Sequence, residues 1–285
     1  MPQEGVDPAA QSGSSAVRKC LHFSFHKCLT AYFGVVMRKF CRERGWMFTH
    51  CQGDLDVFED LIRHGEGRRI LSFNNSLPSF AAYPPFRASR FLRDPRDLVI
   101  SGYHYHLWTR EIWCTTPVFS WEPLTSDPVF RLEIEGDSTK WPNGISFQQY
   151  LRSLDYERGM VLEMLWRRPH FCTMLAWPEL PEILTLRYEE LVGNEGRAFA
   201  SIFRHYGFGD QDAARGGAIA EAHSLKHKRK GVLRHTRDGS PRQWTHAYTP
   251  RLAELFENHF GSVLRATGYE TDESWVECAR GVLAQ

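Results

Sequence analysis

The sequence predicts an α/β protein with a central parallel β-sheet flanked by helices, for two reasons. First, strand-like apolar runs alternate with helical patterns, and this spacing is typical of parallel βαβ units. Second, polar side chains stand at the carboxyl end of each predicted strand, where parallel sheets gather their functional groups. The strands are predicted at residues 20–25, 46–49, 69–73 and 91–92, and the side chains are His26, His50, Asn74 and Arg93.

Composition and charge exclude several classes of protein. The 285 residues, 42% of them hydrophobic, suffice to bury a sizeable core, and the net charge of +1 provides no basic field for nucleic acid. No apolar run is long enough for a membrane span, and residues 1–15 lack the apolar core of a signal peptide. Seven scattered cysteines without a Cys-x-x-Cys pair indicate reduced thiols rather than a disulfide framework or zinc site. These features predict a cytoplasmic protein without nucleic-acid partners.

Domain organisation follows from shifts in composition. Residues 1–15 are small, polar and interrupted by proline and glycine, which predicts a disordered tail before one domain at residues 16–285. Within that domain, residues 107–145 are rich in Trp, Pro and Thr and lack clear periodicity. A segment this long is more often functional than filler, so we interpret it as a lid over a ligand-binding site. The alternative is a segment that is held on the protein surface by its aromatic residues and has no binding role. Later elements are predicted as helices at residues 147–153, 156–166, 195–206, 212–225, 251–260 and from 272 onward, with a strand at 183–187.

The turn at residues 26–29 is the first candidate site for an anion. It connects the first predicted strand to a helix that begins at Thr30. Such a junction presents free backbone N–H groups and the positive end of a helix, here beside Lys27, and this suits phosphate or sulfate oxygens. The Gly-Lys-Ser/Thr of a Walker A motif is missing, which disfavours Mg-dependent hydrolysis of nucleoside triphosphates. A plain strand–helix connector is the alternative.

Arg93 and Ser101 form the second candidate site. Arg93 ends a predicted strand, and Ser101 lies eight positions later on the following helix. An arginine at the carboxyl edge of a strand, with a hydroxyl group on the next helix, suits an oxyanion such as phosphate. The alternative is a surface turn whose arginines pair with its own aspartates.

Four strings of residues, in this order and spacing, resemble signatures of the sulfotransferases that use 3′-phosphoadenosine 5′-phosphosulfate (PAPS). Residues 26–32, His-Lys-Cys-Leu-Thr-Ala-Tyr, are similar to that family's 5′-phosphosulfate loop, Pro-Lys-Ser-Gly-Thr-Thr-Trp. The stretch from Arg93 to Ser101 resembles the 3′-phosphate signature. Residues 186–192, Leu-Arg-Tyr-Glu-Glu-Leu-Val, resemble a segment whose tyrosine approaches the nucleotide. Arg237-Asp238-Gly239, with Gln243-Trp244 and Thr249, resembles the loop that closes over the 3′-phosphate.

The resemblance implies an architecture like that of P-loop NTPases and an enzyme that transfers a sulfuryl group from PAPS. The acceptor would be a hydroxyl group, or less readily an amine, of a small molecule or carbohydrate, and no metal would be needed. Golgi members of the family usually carry a membrane anchor, so its absence here favours a cytoplasmic enzyme. The nucleotide-binding roles fall on Lys27, Cys28, Leu29, Thr30, Ala31, Tyr32, Arg93, Ser101, Tyr188, Arg237 and Gly239, and Lys27 also has a catalytic role.

The sequence departs from the family pattern in its loops and in its general base. Leu29 and Arg242 stand where the family has glycines. The Lys-Thr-His triplet that supplies the base in cytosolic members is replaced by Ser-Phe-Asn-Asn at residues 72–75, and an asparagine cannot take a proton from a hydroxyl group. We therefore expect another base, with His50 as the first choice, Glu111 the second and His106 the third. A small-molecule kinase on a related fold and a non-catalytic nucleotide-binding protein stay open as alternatives.

Overall fold

The computed structural model describes residues 19–135, 144–224 and 239–282, and it confirms the predicted α/β fold. A five-stranded sheet has the strand order β2-β3-β1-β4-β5, and all neighbouring strands are parallel. The strands are β1 (Lys19–Ser24), β2 (Met47–Cys51), β3 (Arg69–Asn74), β4 (Phe86–Leu92) and β5 (Ile183–Arg187). The predicted N-terminal tail lies outside the described residues.

The central strand β1 is buried along most of its length because helices cover both faces of the sheet. Among the described residues, fifteen α-helices connect or follow the strands. They are α1 (Thr30–Arg44), α2 (Leu55–His64), α3 (Pro95–His106), α4 (Ile112–Thr115), α5 (Glu122–Thr125), α6 (Pro128–Phe130), α7 (Phe147–Ser153), α8 (Tyr156–Trp166), α9 (Arg168–Leu175), α10 (Tyr188–Leu191), α11 (Glu195–His205), α12 (Asp210–Ala222), α13 (Trp244–Ala247), α14 (Pro250–Ala266) and α15 (Trp275–Val282).

Local chemistry explains where the helices nearest the sheet begin and end. The Asp94 carboxylate accepts a hydrogen bond from the Arg96 N–H group, and Pro95 occupies the first turn of α3, as expected for an N-cap followed by proline. Gly45 ends α1 in the left-handed conformation, with φ 67°, which glycine adopts without steric cost.

The segment predicted to be irregular, residues 107–145, differs from expectation over residues 107–135. It folds into α4, α5, α6 and a π-helical turn at Arg131–Glu135, and it contributes to the core through residues such as Trp121 and Phe130. Short helices of this kind depend on tertiary packing rather than on periodicity, which is why the sequence pattern did not reveal them. Within the described ranges, no helix is both long and apolar enough to cross a membrane.

The order of the strands creates a crevice between β1 and β4. These strands are neighbours, but the chain leaves β1 towards β2 on one side of the sheet and leaves β4 towards β5 on the other. Ligands bind in open α/β sheets at such a switch point, outside the carboxyl ends of the strands. The segments that follow β1 and β4 carry Lys27 and Arg93, respectively.

Candidate active site

A cavity of about 440 Å³, here called the sheet-edge cavity, opens at this crevice. It is lined by eight of the predicted nucleotide-binding residues, namely Lys27, Leu29, Thr30, Ala31, Tyr32, Arg93, Ser101 and Tyr188. The candidate bases His50 and Glu111 line it as well. Gly239 lies at its border, because its carbonyl oxygen accepts a hydrogen bond of 2.6 Å from the Tyr188 hydroxyl. Arg237 lies outside the described residues.

Residues 26–32, here called the Lys27 loop, have an unusual backbone. Lys27 and Leu29 both adopt positive φ angles, 71° and 59°, a region that costs most L-residues about 1 kcal/mol or more. Leu29 thus takes up the conformation that a glycine would favour at the position where the family has one. The Cys28 N–H group donates a hydrogen bond to the Phe25 carbonyl at 2.9 Å. Because this hydrogen bond lies within the turn, we do not propose the Cys28 N–H group as an anion ligand.

Arg93 reaches from the end of β4 to the Lys27 loop. Its Nη1 atom donates to the Lys27 carbonyl oxygen at 3.1 Å, and its guanidinium lies 4.2 Å from the centroid of the Tyr188 ring. The side chain is only 4% exposed, and its Nε atom has no hydrogen-bond partner among the described residues. A buried cationic donor in this state fits an anion that completes the site.

The contacts of the turn after Arg93 decide whether its arginines pair with its own aspartates, which was the alternative interpretation. Its Asp94 carboxylate pairs with Arg96 through two hydrogen bonds, from Nε at 3.0 Å and from Nη2 at 2.8 Å. Glu270 Oε1 lies 2.6 Å from the same Nη2 atom of Arg96. The local pairing therefore involves Arg96, and Arg93 remains directed at the Lys27 loop.

A late segment of the chain closes one side of the sheet-edge cavity. Gln243 lines the cavity, and the Trp244 N–H group donates to Asp97 Oδ1 at 3.0 Å, which ties the segment to α3. Arg242 has a φ angle of 62°. Like Leu29, it adopts a left-handed conformation at a position where the family has a glycine.

Positive charge is concentrated around the Lys27 loop. Burial, together with the neighbouring charges of Arg167 and Arg93, lowers the pKa of Lys27 to about 8. The Nζ atom of Lys27 lies 3.8 Å from the centroid of the Tyr105 ring. The positive charges of Lys27, Arg93 and Arg167 repel one another in this partly desolvated site, and a bound anion would reduce that repulsion.

The three candidate bases differ in access and basicity. His50 lines the cavity with Nδ1 3.2 Å from the Ser72 hydroxyl, and burial lowers its pKa, so the ring is neutral at pH 7. Burial raises the pKa of Glu111, but His26 and hydrogen bonds from Tyr105 and Trp113 outweigh this and hold it at about 2, which makes a weak proton acceptor. His106 is fully buried, with Nδ1 2.7 Å from Glu163, and does not line the cavity, so we do not propose it as a base.

His26 and Asn74 line the sheet-edge cavity, as expected for side chains at the carboxyl ends of strands, and His26 Nε2 lies 3.8 Å from Glu111 Oε1. Several other lining residues were not predicted as functional. Helical spacing from Ala31 could have indicated the face of α1 that carries Gly34, Val35 and Arg38 into the same wall. The other unpredicted lining residues are Gln52, His104, Tyr105, Trp108, Leu191, Val192, Glu195 and Gln243.

Two further features bear on the choice of site. Another cavity, of about 540 Å³, lies near Glu133, Asp155 and Arg251, and none of the predicted site residues lines it. In the part of the chain that the structure describes, no group of three or more His, Cys, Asp or Glu side chains is placed to hold a metal ion.

The chain is similar to solved structures, two of which follow. One is mouse sulfotransferase SULT7A1 complexed with PAP, with 16% sequence identity and a TM-score of 0.47 over 93% of this chain and 88% of that one. Another is retinol dehydratase in complex with androsterone and the inactive cofactor PAP, with 13% identity and a TM-score of 0.46 over 87% and 80% of the two chains. No family model and no curated protein matches the sequence. The likeness concerns the overall fold, and no residue's role is assigned from it.

Proposed function

We propose that this chain is a sulfotransferase that transfers the sulfuryl group of PAPS to a hydroxyl group of a small-molecule or carbohydrate acceptor. One observation carries the proposal. Strings at residues 26–32, 93–101 and 186–192, and the late segment at 239–244, are far apart in sequence, yet all line or border the sheet-edge cavity. The first two strings were also singled out by their charged residues at strand ends, and a shared cavity is what a single two-ended nucleotide requires.

The Lys27 loop would bind the phosphosulfate end of the donor. The Lys27 ammonium and the N–H groups at the start of α1 would contact its oxygens, and the Thr30 hydroxyl lies 2.8 Å from Ser24 Oγ at the same end. During transfer the bond from sulfur to the bridging phosphate oxygen breaks, and a bond from sulfur to the acceptor oxygen forms. Positive charge placed beforehand at the bridging oxygen stabilises the leaving group. These cations would supply the charge that a metal provides in phosphoryl transfer.

The Arg93 side of the sheet-edge cavity would bind the 3′-phosphate. Arg93, Ser101 and the segment at Gly239 are the proposed contacts, with Tyr188 packed over the Arg93 guanidinium. Arg237 is proposed from the sequence resemblance alone. Tyr32 is proposed to lie beside the adenine; its hydroxyl donates to the Ala220 carbonyl at 2.6 Å, which fixes the ring.

His50 is the proposed general base, because it is neutral and lines the cavity. Replacing His50 with alanine is expected to reduce turnover by about 10²-fold, the usual contribution of a general base. Affinity for 3′-phosphoadenosine 5′-phosphate (PAP), the product nucleotide, should stay unchanged in calorimetry. His64→Ala, an exposed histidine at the end of α2, is the matched control. Near-normal turnover of the His50 variant would remove this residue from the mechanism.

The lowered pKa of Lys27 predicts a pH dependence of nucleotide binding. Only the protonated ammonium attracts the anion, so PAP affinity should be constant below about pH 8 and fall by up to tenfold per pH unit above it. The phosphate groups of PAP lose their last proton near pH 6. In a calorimetric series from pH 7 to 9.5, a change in affinity therefore comes from titration of the protein and not of the nucleotide. A Lys27→Arg variant should flatten the curve. An affinity that is constant across this range in the unmodified protein would show that Lys27 does not contact the anion.

The function itself is tested by following sulfuryl transfer from labelled PAPS to a panel of alcohols, phenols and sugars. Labelled product with at least one acceptor supports the proposal. Transfer of phosphate from labelled ATP, without transfer from PAPS, would support a small-molecule kinase instead. Tight PAP binding without transfer to any acceptor would indicate a non-catalytic nucleotide-binding protein.

A further inference from the structure

Behind the Lys27 loop lies a charged pair that is sealed from solvent. Arg167 and Glu163 are both 0% exposed, and Arg167 Nε donates to Glu163 Oε1 at 2.8 Å. The second carboxylate oxygen of Glu163 lies 2.7 Å from His106 Nδ1. Buried ion pairs are rarely kept for stability alone, because the cost of desolvating two charges offsets their attraction.

This pair contacts the Lys27 loop directly. Arg167 Nη1 donates to the carbonyl oxygen of His26 at 3.3 Å, and the imidazole of His106 stacks on that of His26 with ring centroids 5.3 Å apart. Arg93 donates to the next carbonyl along the chain, that of Lys27. Two arginines from different elements thus hold successive carbonyl groups at the point where the backbone enters its left-handed conformation.

The same pair also packs against the helix that carries Ser101. A Cβ atom added to Gly102 on α3 would lie 1.8 Å from Glu163 Oε1 and 2.3 Å from Arg167 Nη2. Both atoms belong to fully buried side chains, which have little room to move aside. Only glycine at this position lets α3 approach the pair so closely.

We propose that Arg167 is a positioning residue, which holds the Lys27 loop in register with α3 through its contacts to His26 and at Gly102. The assignment of the two phosphate sites rests on the proposed function, whereas the mechanical coupling of loop and helix does not. The positive φ angles of Lys27 and Leu29 are unfavourable for side-chain-bearing residues, so the loop needs such an external restraint. The spacing between the two ends of the nucleotide would then be set by a residue that touches neither end.

The test uses two variants that disturb the same contact from opposite sides. Arg167→Lys keeps a cation beside Glu163 but lacks the planar fork that also reaches the His26 carbonyl. Gly102→Ala displaces the pair from the helix side. Arg168→Lys is the matched control, because Arg168 is the next residue, pairs with Asp127 at 2.8 Å and does not contact the loop.

Hydrogen exchange of the ligand-free full-length protein is the first readout. Both variants should raise amide exchange in the Lys27 loop by about tenfold, while β1 and β3 keep their protection and Arg168→Lys matches the unmodified protein. Exchange that rises throughout the sheet, together with a lowered Tm, would show a merely structural role and overturn the inference. Unchanged exchange in the loop in both variants would overturn it as well.

PAP affinity is the second readout and separates the inference from the proposed function. If the unmodified protein binds PAP, both variants should weaken it by about tenfold or more, the loss expected for one charge-assisted contact. PAP affinity that both variants retain would contradict the positioning role alone. Failure of the unmodified protein to bind PAP would count against the proposed function, whereas the exchange experiment would still decide the coupling.

Discussion

A Lys27→Met variant is expected to lose sulfuryl transfer by about 10³-fold, the upper range for removing one preorganised charge from a transition state. Lys27 is a cation that lines the sheet-edge cavity. Arg93 holds its carbonyl group, and the Tyr105 ring lies 3.8 Å below its ammonium. Turnover at saturating PAPS is the quantity to measure, because the charge acts mainly when the bridging oxygen is released.

Stability measurements separate this loss from unfolding. Burial lowers the pKa of Lys27 from 10.5 to about 8, so the folded protein binds this proton more weakly than the unfolded chain does. The charged lysine therefore reduces stability at pH 7, and the Tm of Lys27→Met should be equal to or higher than that of the unmodified protein. Lys39→Met, which replaces an exposed lysine on the helix that follows the Lys27 loop, should change neither quantity. A Lys27→Met enzyme that keeps more than about a tenth of its turnover would contradict the catalytic role.

An Arg93→Ala variant is expected to bind PAP about 100-fold more weakly. Its guanidinium is buried, one nitrogen has no partner among the described residues, and a charge-assisted contact to phosphate contributes about 1.5–3 kcal/mol. Calorimetry with PAP and with adenosine 5′-phosphate should show that the loss is much smaller for the nucleotide without a 3′-phosphate.

The control for Arg93 lies on the same strand. Arg87 is on β4, in register with Cys20, and does not line the cavity, so Arg87→Ala should leave both affinities unchanged. If Arg93→Ala binds PAP as tightly as the unmodified protein, the 3′-phosphate contact is wrong. An equal loss for both nucleotides would assign Arg93 to the Lys27 loop alone, through its bond to the Lys27 carbonyl.

Much of the fold could be predicted because its elements carry local signals. The helices at Phe147–Ser153 and Tyr156–Trp166 and the strand at Ile183–Arg187 have the predicted bounds. Helix α9 was missed, although Pro169 in its first turn is a typical start signal. The order of the strands could not be read from the chain, since it depends on long-range packing, and it is this order that brings β1 and β4 together.

The candidate site was only partly predictable, for physical reasons. Lys27 and Arg93 stood out because charged residues follow apolar strands. The left-handed backbone at Leu29 could not be anticipated, because leucine resists positive φ and only tertiary contacts hold it there. Arg167 had no sequence signal at all. A basic residue at the end of a helix usually faces solvent, and its burial becomes visible only with Glu163 and Gly102 around it.

A crystal structure of the full chain with PAP bound tests the central claim most directly. The account predicts one nucleotide lying across the carboxyl edge of β1 and β4, with its 5′-phosphate at Lys27 and the N–H groups of residues 29–31 and its 3′-phosphate at Arg93 and Ser101. A nucleotide bound elsewhere, or one whose 3′-phosphate points away from Arg93, would contradict the assignment of this cavity as a sulfotransferase site.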